Sequence, residues 1–313
     1  MNKKLVVVIL VGVILVSLAA AMVANPAKVS KKAQGDRIGL IYVEGVITGA
    51  REEAGLFSGG ASGQSLMEQL KRAREDENLK AVLIRINSPG GSSAASQEVG
   101  EEVDKLRRSG KIVVASMGDV AASGGYWIAA KCDRIVADSA TMTGSIGVIM
   151  DLQNLKELFD KIGVTPETIK SGPYKDIGSM NRPLTPAERA ILQSMVDDIY
   201  SQFVDVVAKG RKMDRKKVLE LADGRVFTGR QAKANGLVDE LGNYYDAIDM
   251  TAKLANIKGE PQVFELGPVN PFEKLLGGVS SLKGLSYNSS GLQAQDIRQL
   301  IELLKSQQAG QIR

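Results

Sequence analysis

The stretch GDVAASGGYW, residues 118–127, places Ser123 among residues with almost no side chains. It follows the apolar run KIVVASM and continues into GYWIAAK, which predicts a strand that turns directly into a helix. The Ser123 hydroxyl would then lie at the carboxyl end of a parallel sheet, where open α/β folds bind ligands. Gly124 and Gly125 leave room for a substrate backbone, and amides that begin a helix can stabilise an oxyanion. A nucleophile and an ordinary turn serine both fit, and the local pattern by itself favours the turn serine.

A second glycine-rich turn, RINSPGGSS, follows the apolar strand AVLIRI and contains Pro89, Gly90 and Gly91. If the two strands are neighbours, both turns face one site, and the amide of Gly90 or Gly91 becomes a second oxyanion donor. A phosphate-binding loop is the alternative interpretation. It is disfavoured because no GKS or GKT follows and no GxGxxG occurs there.

The base for such a serine must be something other than histidine, because the 313 residues include none. This absence excludes Ser-His-Asp and Cys-His catalysis and HExxH zinc sites. A lysine can accept the proton once burial lowers its pKa from about 10.4, since the neutral amine is the accepting form. Lys175, in the loop SGPYKDIGSM, is the best local candidate, although spacing does not choose it over the other lysines. Ser145, in TMTGSIGVIM, is a candidate to orient that amine or an ordinary turn serine.

The composition is that of a globular protein with one or two domains, 24% charged and 44% hydrophobic. Lys and Arg number 40 against 36 Asp and Glu, and the basic residues are spread along the chain, which gives nucleic-acid binding no support. Cys132 is the single cysteine, so no intramolecular disulfide forms. Its setting, AAKCDRIVAD, is typical of a small buried residue rather than a reactive thiol.

Strand and helix patterns alternate along the chain, and TPETIK is among the expected strands. This alternation predicts an α/β fold with parallel strands covered by helices. The sequence TPAERAIL opens the longest helix, with Thr185 as N-cap and Glu188 completing a capping box. Ser65 and Glu68 have the same spacing and predict another helix start.

The chain divides into four predicted parts. Residues 1–24 form a membrane anchor, because LVVVILVGVILVSLAAAMVA is uncharged and about 30 Å long as a helix. A cleaved signal peptide is the alternative, and the flanking lysines do not fix the orientation. Residues 25–36 are a linker, 37–258 the catalytic domain, and 259–313 a flexible tail with an amphipathic helix in AQDIRQLIELLKS.

Taken together, the motifs INSPGGS, GDVAASGGYWIA, TMTGSIGV, SGPYKDIGS and GRVFTGRQAKANGLVDELG resemble, in this order, the signal peptide peptidase A (SppA, protease IV) family of membrane-anchored serine peptidases. The chain is similar to the short form found in Bacillus and its relatives. The last motif also resembles the closing segment of the wider Clp protease and crotonase superfamily. The resemblance implies a Clp protease/crotonase-like α/β fold, preceded by one N-terminal transmembrane helix.

The resemblance also implies roles for individual residues. Ser123 takes the place of the family's nucleophile, Lys175 that of its general base, and Ser145 that of the serine that hydrogen-bonds the lysine. The oxyanion hole falls on backbone amides at Gly124, Gly90 and Gly91. No cofactor or metal is implied.

The resemblance implies a ring or dome of subunits, eight in the short form, in which Ser123 and Lys175 come from neighbouring chains. The implied substrates are remnant signal peptides, cleaved by a domain on the extracytoplasmic side of the cell membrane. Three alternatives stay open: a Ser/Lys protease that cuts a stomatin-like partner, a non-catalytic oligomeric membrane scaffold, and an acyl-CoA hydratase or isomerase. The last is disfavoured because no glutamate adjoins Ser123 or Pro89.

Overall fold

The computed structural model describes residues 36–50 and 60–267. The strands in these ranges are β1 (Arg37–Glu44), β2 (Val46–Thr48), β3 (Gly60–Ser62), β4 (Leu79–Ser88), β5 (Ile112–Ala122), β6 (Arg134–Ala137), β7 (Met142–Gly144), β8 (Val226–Thr228), β9 (Glu240–Leu241) and β10 (Gln262–Glu265). The helices are α1 (Gly63–Glu75), α2 (Ser93–Arg108), α3 (Gly124–Ala130), α4 (Lys156–Ile162), α5 (Pro186–Arg211), α6 (Arg215–Leu221), α7 (Gly229–Ala234) and α8 (Tyr244–Leu254).

The main sheet is parallel along the order β10-β1-β4-β5-β6-β9. β7 pairs in parallel with the last residues of β5. β8 pairs with β7 in the antiparallel direction. The predicted mixed α/β fold with a mostly parallel sheet is therefore confirmed. Because β4 and β5 are parallel neighbours, the turns that follow them lie at the same edge of the sheet.

The central strands are buried on both faces, as their nearly continuous apolar sequences predict. Helices α1, α2, α3 and the second half of α5 pack on one face, around Val99, Trp127 and Phe203. Helix α8 covers the other face through Ala247 and Ile248. The sheet thus holds the β4 and β5 turns between two packed layers.

Two predicted helix starts have different outcomes. At α5 the Thr185 side chain accepts a hydrogen bond from the Glu188 amide, and the Glu188 carboxylate accepts one from the Thr185 amide, which confirms the capping box. At α1 the prediction that Ser65 is the N-cap was wrong. The helix begins one turn earlier, at Gly63, because the Ser62 hydroxyl accepts the hydrogen bond from the Ser65 amide at 3.3 Å.

Residues 149–185, called the arm below, contain no buried residue. The predicted strand TPETIK, residues 165–170, is wrong: this stretch has no regular secondary structure, is exposed, and pairs with no strand in the described ranges. Apolar residues at three- and four-residue spacing, among them Ile191, Met195 and Phe203, predict one core-facing or oligomer-facing stripe along α5, and the structure divides this stripe. Phe203 is buried in the core, whereas Ile191 and Met195 near the start of the helix are exposed.

The predicted anchor, the predicted linker up to residue 35, residues 51–59 and the predicted amphipathic tail helix lie outside the described residues. Within the described part of the chain, no helix is both long enough and apolar enough to cross a membrane. Strand β10, Gln262–Glu265, pairs with β1 beyond residue 258, where the sequence places the end of the catalytic domain.

Candidate active site

Ser123 stands alone between β5, which ends at Ala122, and α3, which begins at Gly124. Its backbone has φ 52° and ψ −119°, a conformation that residues with side chains rarely adopt and that costs about 1–3 kcal/mol. The surrounding chain fixes this geometry on both sides. The Ser123 amide donates to the Gly144 carbonyl at 2.9 Å, and its own carbonyl accepts from the Trp127 amide at 2.9 Å.

Ser145 has the same unusual feature, with φ 50°. Positive φ values at the non-glycine residues Lys212 and Asn256 have an ordinary explanation, since both residues follow the ends of helices. Ser123 and Ser145 instead follow strands, and β5 and β7 are paired in a register that sets Ala122 opposite Gly144. The two strained serines therefore come next to each other at the same edge of the sheet.

Both serines line one cavity of about 570 Å³. Apolar parts of its wall come from Val148, Val196 and Tyr200. Sequence reasoning did not predict the contribution of α5 to this wall. A signal was available, because Val196 and Tyr200 are four residues apart and so lie on one face of the predicted helix.

The PGG turn packs directly against Ser123. A Cβ atom added to Gly90 would lie 2.7 Å from the Gly124 amide nitrogen, and one added to Gly91 would lie 2.1 Å from the Ile47 carbonyl oxygen. Both glycines also have positive φ, 104° and 152°. This close approach of the two turns therefore needs glycine at both positions.

The hydrogen bonds of the turn show that only one of the two glycine amides is free. The Gly90 amide donates to the Ser88 hydroxyl at 3.1 Å, so it is already used. The amides of Gly91 and Gly124 have no acceptor among the described residues. The Gly91 nitrogen is also only 3.3 Å from the Cβ position of Gly124. Two free N–H groups therefore converge beside Ser123, which is the arrangement that a developing oxyanion requires.

Ser145 is held where β7 pairs with β8. Its amide donates to the Arg225 carbonyl at 2.9 Å, and the Gly224 amide donates to the Ile146 carbonyl at 3.1 Å. The Ser145 hydroxyl makes no hydrogen bond within the described ranges. It is thus free to bind another group in the cavity.

Lys175 lies on the arm, is exposed, and is not among the residues that line the cavity. Its ammonium has no ion pair or hydrogen bond with the described part of the chain. A single chain thus brings together Ser123, Ser145, Gly91 and Gly124 but not Lys175. The role of Lys175 as general base stays a prediction.

Comparison with known proteins identifies the family of this chain. Residues 105–258, which include both serines and Lys175, match the sequence model of peptidase family S49. A Synechocystis protein that carries the provisional name protease slr0021 is 44% identical over 241 residues, which cover 76% of this chain and 85% of that protein.

Two further relatives differ in length from this chain. An Enterococcus faecium protein, provisionally named signal peptide peptidase SppA, is 42% identical over 71% of this chain and 64% of its own length. Protease 4 of Salmonella typhi is 39% identical over 72% of this chain, but the match covers only 35% of Protease 4. The chain therefore spans about a third of that relative. From the family match and the extent of these identities, the chain belongs to peptidase family S49 and is a peptidase.

Proposed function

We propose that this peptidase is a membrane-anchored serine endopeptidase that degrades remnant signal peptides, with Ser123 as nucleophile and Lys175 as general base. The observation that carries the proposal is the strained Ser123 beside the two free amides of Gly91 and Gly124 in one cavity. Strain at a half-exposed serine and converging N–H groups are features of acyl-transfer sites.

The proposed reaction begins when the neutral amine of Lys175 removes the proton of the Ser123 hydroxyl. Ser123 Oγ then attacks the peptide carbonyl, and the Gly91 and Gly124 amides donate to the oxyanion. The Lys175 ammonium returns the proton to the departing amine as the peptide bond breaks. A water molecule, deprotonated in turn by Lys175, hydrolyses the acyl-enzyme. The Ser145 hydroxyl, which lines the same cavity as Ser123 and makes no hydrogen bond within the described ranges, would accept a hydrogen bond from the Lys175 amine.

We further propose that Lys175 reaches Ser123 from a second copy of the chain. The arm that bears Lys175 exposes large apolar side chains: Ile149 is 84% exposed, Ile162 60% and Ile169 96%. Exposed apolar surface of this kind is typical of an interface between proteins. Assembly of copies through the arm would cover these side chains and would also remove Lys175 from solvent. The octamer implied by the resemblance is one such assembly.

The substrate class is supported by the cavity wall and by a relative. Val148, Ile149 and Val196 offer apolar contacts to an extended peptide, and remnant signal peptides are rich in apolar residues. The Enterococcus faecium relative is named as a signal peptide peptidase. The proposed anchor, residues 5–24, would hold the enzyme on the extracytoplasmic side of the membrane in which such peptides remain. The parallel sheet with two glycine-rich strand-to-helix turns supports a Clp protease/crotonase-like class for the fold.

The test uses the full chain in detergent micelles with synthetic signal peptides, and mass spectrometry identifies the cut sites. Ser123→Ala and Lys175→Ala should each abolish cleavage while the thermal unfolding temperature is kept. Lys161→Ala is the matched control, because Lys161 is an exposed lysine of the same arm, and it should cleave normally. A fully active Lys175→Ala variant would disprove the mechanism. Digestion of a stomatin-like tail, with no cleavage of signal peptides, would disprove the substrate class.

A non-catalytic scaffold is the remaining alternative. An acylating probe for active serines, such as a fluorophosphonate, should label Ser123 in the wild-type chain and leave Ser123→Ala unlabelled. Absence of labelling in the correctly assembled wild-type protein would favour the scaffold.

A further inference from the structure

A cluster of four charged side chains lies beside Lys175 and takes no part in the proposed reaction. Its centre is Arg182, whose guanidinium donates two hydrogen bonds to the Asp176 carboxylate, at 2.9 and 2.8 Å. The same guanidinium donates two more to the Glu188 carboxylate, at 2.8 and 2.5 Å. Arg182 therefore joins the residue next to Lys175 to the first turn of α5 by two fork-like pairs, the strongest geometry that an arginine forms with carboxylates.

The Glu188 end of the cluster is fixed to the body of the enzyme. Glu188 is 2% exposed, and its carboxylate also accepts from the amide and hydroxyl of Thr185. Glu188 lies on α5, whose second half packs in the core through Phe203 and Val207. The anchoring point of Arg182 is therefore a rigid helix and not a loop.

The Asp176 end, by contrast, belongs to a segment with no regular structure. Its backbone is held by short turns, with Lys175 N–H donating to the Gly172 carbonyl at 3.2 Å and Ser179 N–H to the Asp176 carbonyl at 3.0 Å. Such turns by themselves leave the orientation of the segment relative to α5 free. The Arg182 bridge is the side-chain link that sets this orientation within the described part of the chain.

The charges of the cluster also leave Lys175 unpaired. Asp176 accepts from Lys170 at 2.6 Å as well as from Arg182, so two cations satisfy two carboxylates. The hydrogen bond from Arg182 is the largest cause that holds the pKa of Asp176 below its ordinary range. Because both carboxylate oxygens of Asp176 already accept hydrogen bonds from Arg182 and Lys170, Asp176 does not bind its neighbour Lys175. Without Arg182, the Asp176 carboxylate is free to pair with Lys175 and to keep it in the charged form.

From these contacts we infer that Arg182 is a positioning residue for Lys175: it holds the Lys175 segment against α5 and keeps the Asp176 carboxylate away from the amine. The inference rests on the proposed function of Lys175 as general base. Arg182 does not line the cavity and makes no hydrogen bond with Ser123, so it acts only through the place and charge state of Lys175.

The test is Arg182→Met in the full chain, assayed with a fluorogenic apolar peptide between pH 6 and 10. We expect kcat to fall about 100-fold with little change in KM, because a small displacement of a catalytic group has an effect of that order. The acid limb of the kcat profile should also move to higher pH. Arg182→Lys, which can pair with one carboxylate at a time, should recover part of the lost kcat. The control is Arg189→Met, an exposed arginine one residue beyond Glu188 with no ion pair among the described residues, and it should match the wild type.

Two further variants separate the possible failures. If Lys175→Ala is itself active, the proposed function fails, whereas an active Arg182→Met with an unchanged pH profile beside an inactive Lys175→Ala overturns only the inference. Should Arg182→Met fail to assemble, Asp176→Ala replaces it, since this variant leaves Arg182 paired with the buried Glu188. Its kcat should fall without the alkaline shift, and a wild-type kcat would overturn the inference.

Discussion

Gly90 lies against the candidate nucleophile so closely that a Cβ atom added to Gly90 would stand 2.7 Å from the Cβ atom of Ser123. The contact makes the PGG turn and the Ser123 turn one packed unit. Within that unit the two glycines have different roles. Gly90 has no side chain that would block the close approach of the turns, and its amide donates to the Ser88 hydroxyl, whereas Gly91 keeps a free N–H.

Gly90→Ala should therefore lower kcat/KM by about 100-fold, the usual effect of losing one oxyanion donor, because the added methyl group pushes the neighbouring Gly91 amide away. Peptide cleavage by the purified variant measures the change. Gly110→Ala is the matched control: Gly110 also has a positive φ, 90°, but nothing lies within 4 Å of its Cβ position. Both variants carry backbone strain, so the close contacts of Gly90 with Ser123 and Gly124 distinguish them. Equal activity of the two would contradict the role given to the PGG turn.

Mixing two inactive variants tests whether neighbouring copies share a site. Neither Ser123→Ala nor Lys175→Ala is expected to cleave alone, but a mixed assembly contains some sites with an intact serine and an intact lysine. If each site joins two chains head to tail, about a quarter of the sites in a one-to-one random mixture combine an intact serine with an intact lysine. Such a mixture should therefore recover about a quarter of wild-type activity. The Ser123→Ala/Lys175→Ala double variant mixed with Ser123→Ala should stay inactive. An inactive mixture in which fluorescence shows that subunits exchange would contradict the shared site.

The layered sheet was predictable because its signals are local. The apolar runs of β4 and β5 and the capping box at Thr185 each fix an element without reference to the rest of the chain. The strand predicted at residues 165–170 failed because a strand also needs a partner, and this stretch pairs with no strand among the described residues. The exposed Ile191 shows the same limit, since periodicity indicates a helix face but not what covers it.

The candidate site was likewise predictable only in part from the sequence. Sequence motifs indicated Ser123 and the PGG turn, and the parallel pairing of β4 with β5 brings them together. The choice between the amides of Gly90 and Gly91 was beyond the sequence, because it depends on one hydrogen bond to the Ser88 hydroxyl. Lys175 is exposed and does not line the cavity of a single chain, so its proposed role depends on the proposed second copy.

Cys132 should be inert in the folded protein. Burial raises the pKa of its thiol well above the ordinary range, and the thiolate is the reactive form. A thiol reagent such as DTNB should therefore react at pH 8 only after guanidinium unfolds the chain. As a control, Lys216→Cys, on α6 and outside the arm, adds an exposed thiol that should react at once with a single equivalent of reagent. Rapid release of one equivalent by the native wild type would contradict the predicted burial.

Phe203 should contribute strongly to the stability of the fold. Its ring lies 4.8 Å from the Trp127 ring, measured between centroids, and this contact joins α5 to the helix that begins at Gly124. Phe203→Ala should lower the free energy of unfolding by about 3–5 kcal/mol, the usual range for a buried phenylalanine. Denaturant unfolding measures the loss. Tyr245→Ala removes a ring that is 73% exposed and should change stability by less than about 0.5 kcal/mol. Equal losses would place Phe203 outside the core.

Acid should loosen the start of α5 before it unfolds the core. The hydrogen bond from Arg182 is the main cause that lowers the pKa of Glu188 from 4.5 to about 2. Because the pKa is lower in the folded chain than in the unfolded one, this carboxylate stabilises the fold fully above about pH 4.5, and the stabilisation is lost as the pH falls toward 2. Amide hydrogen exchange of residues 170–190 should therefore accelerate between pH 4.5 and 2.5, after correction for the intrinsic exchange rate. Glu188→Gln should remove much of that pH dependence, because its amide does not ionise. A wild-type segment equally protected at pH 7 and pH 2.5 would show that the Arg182 pairs do not hold it.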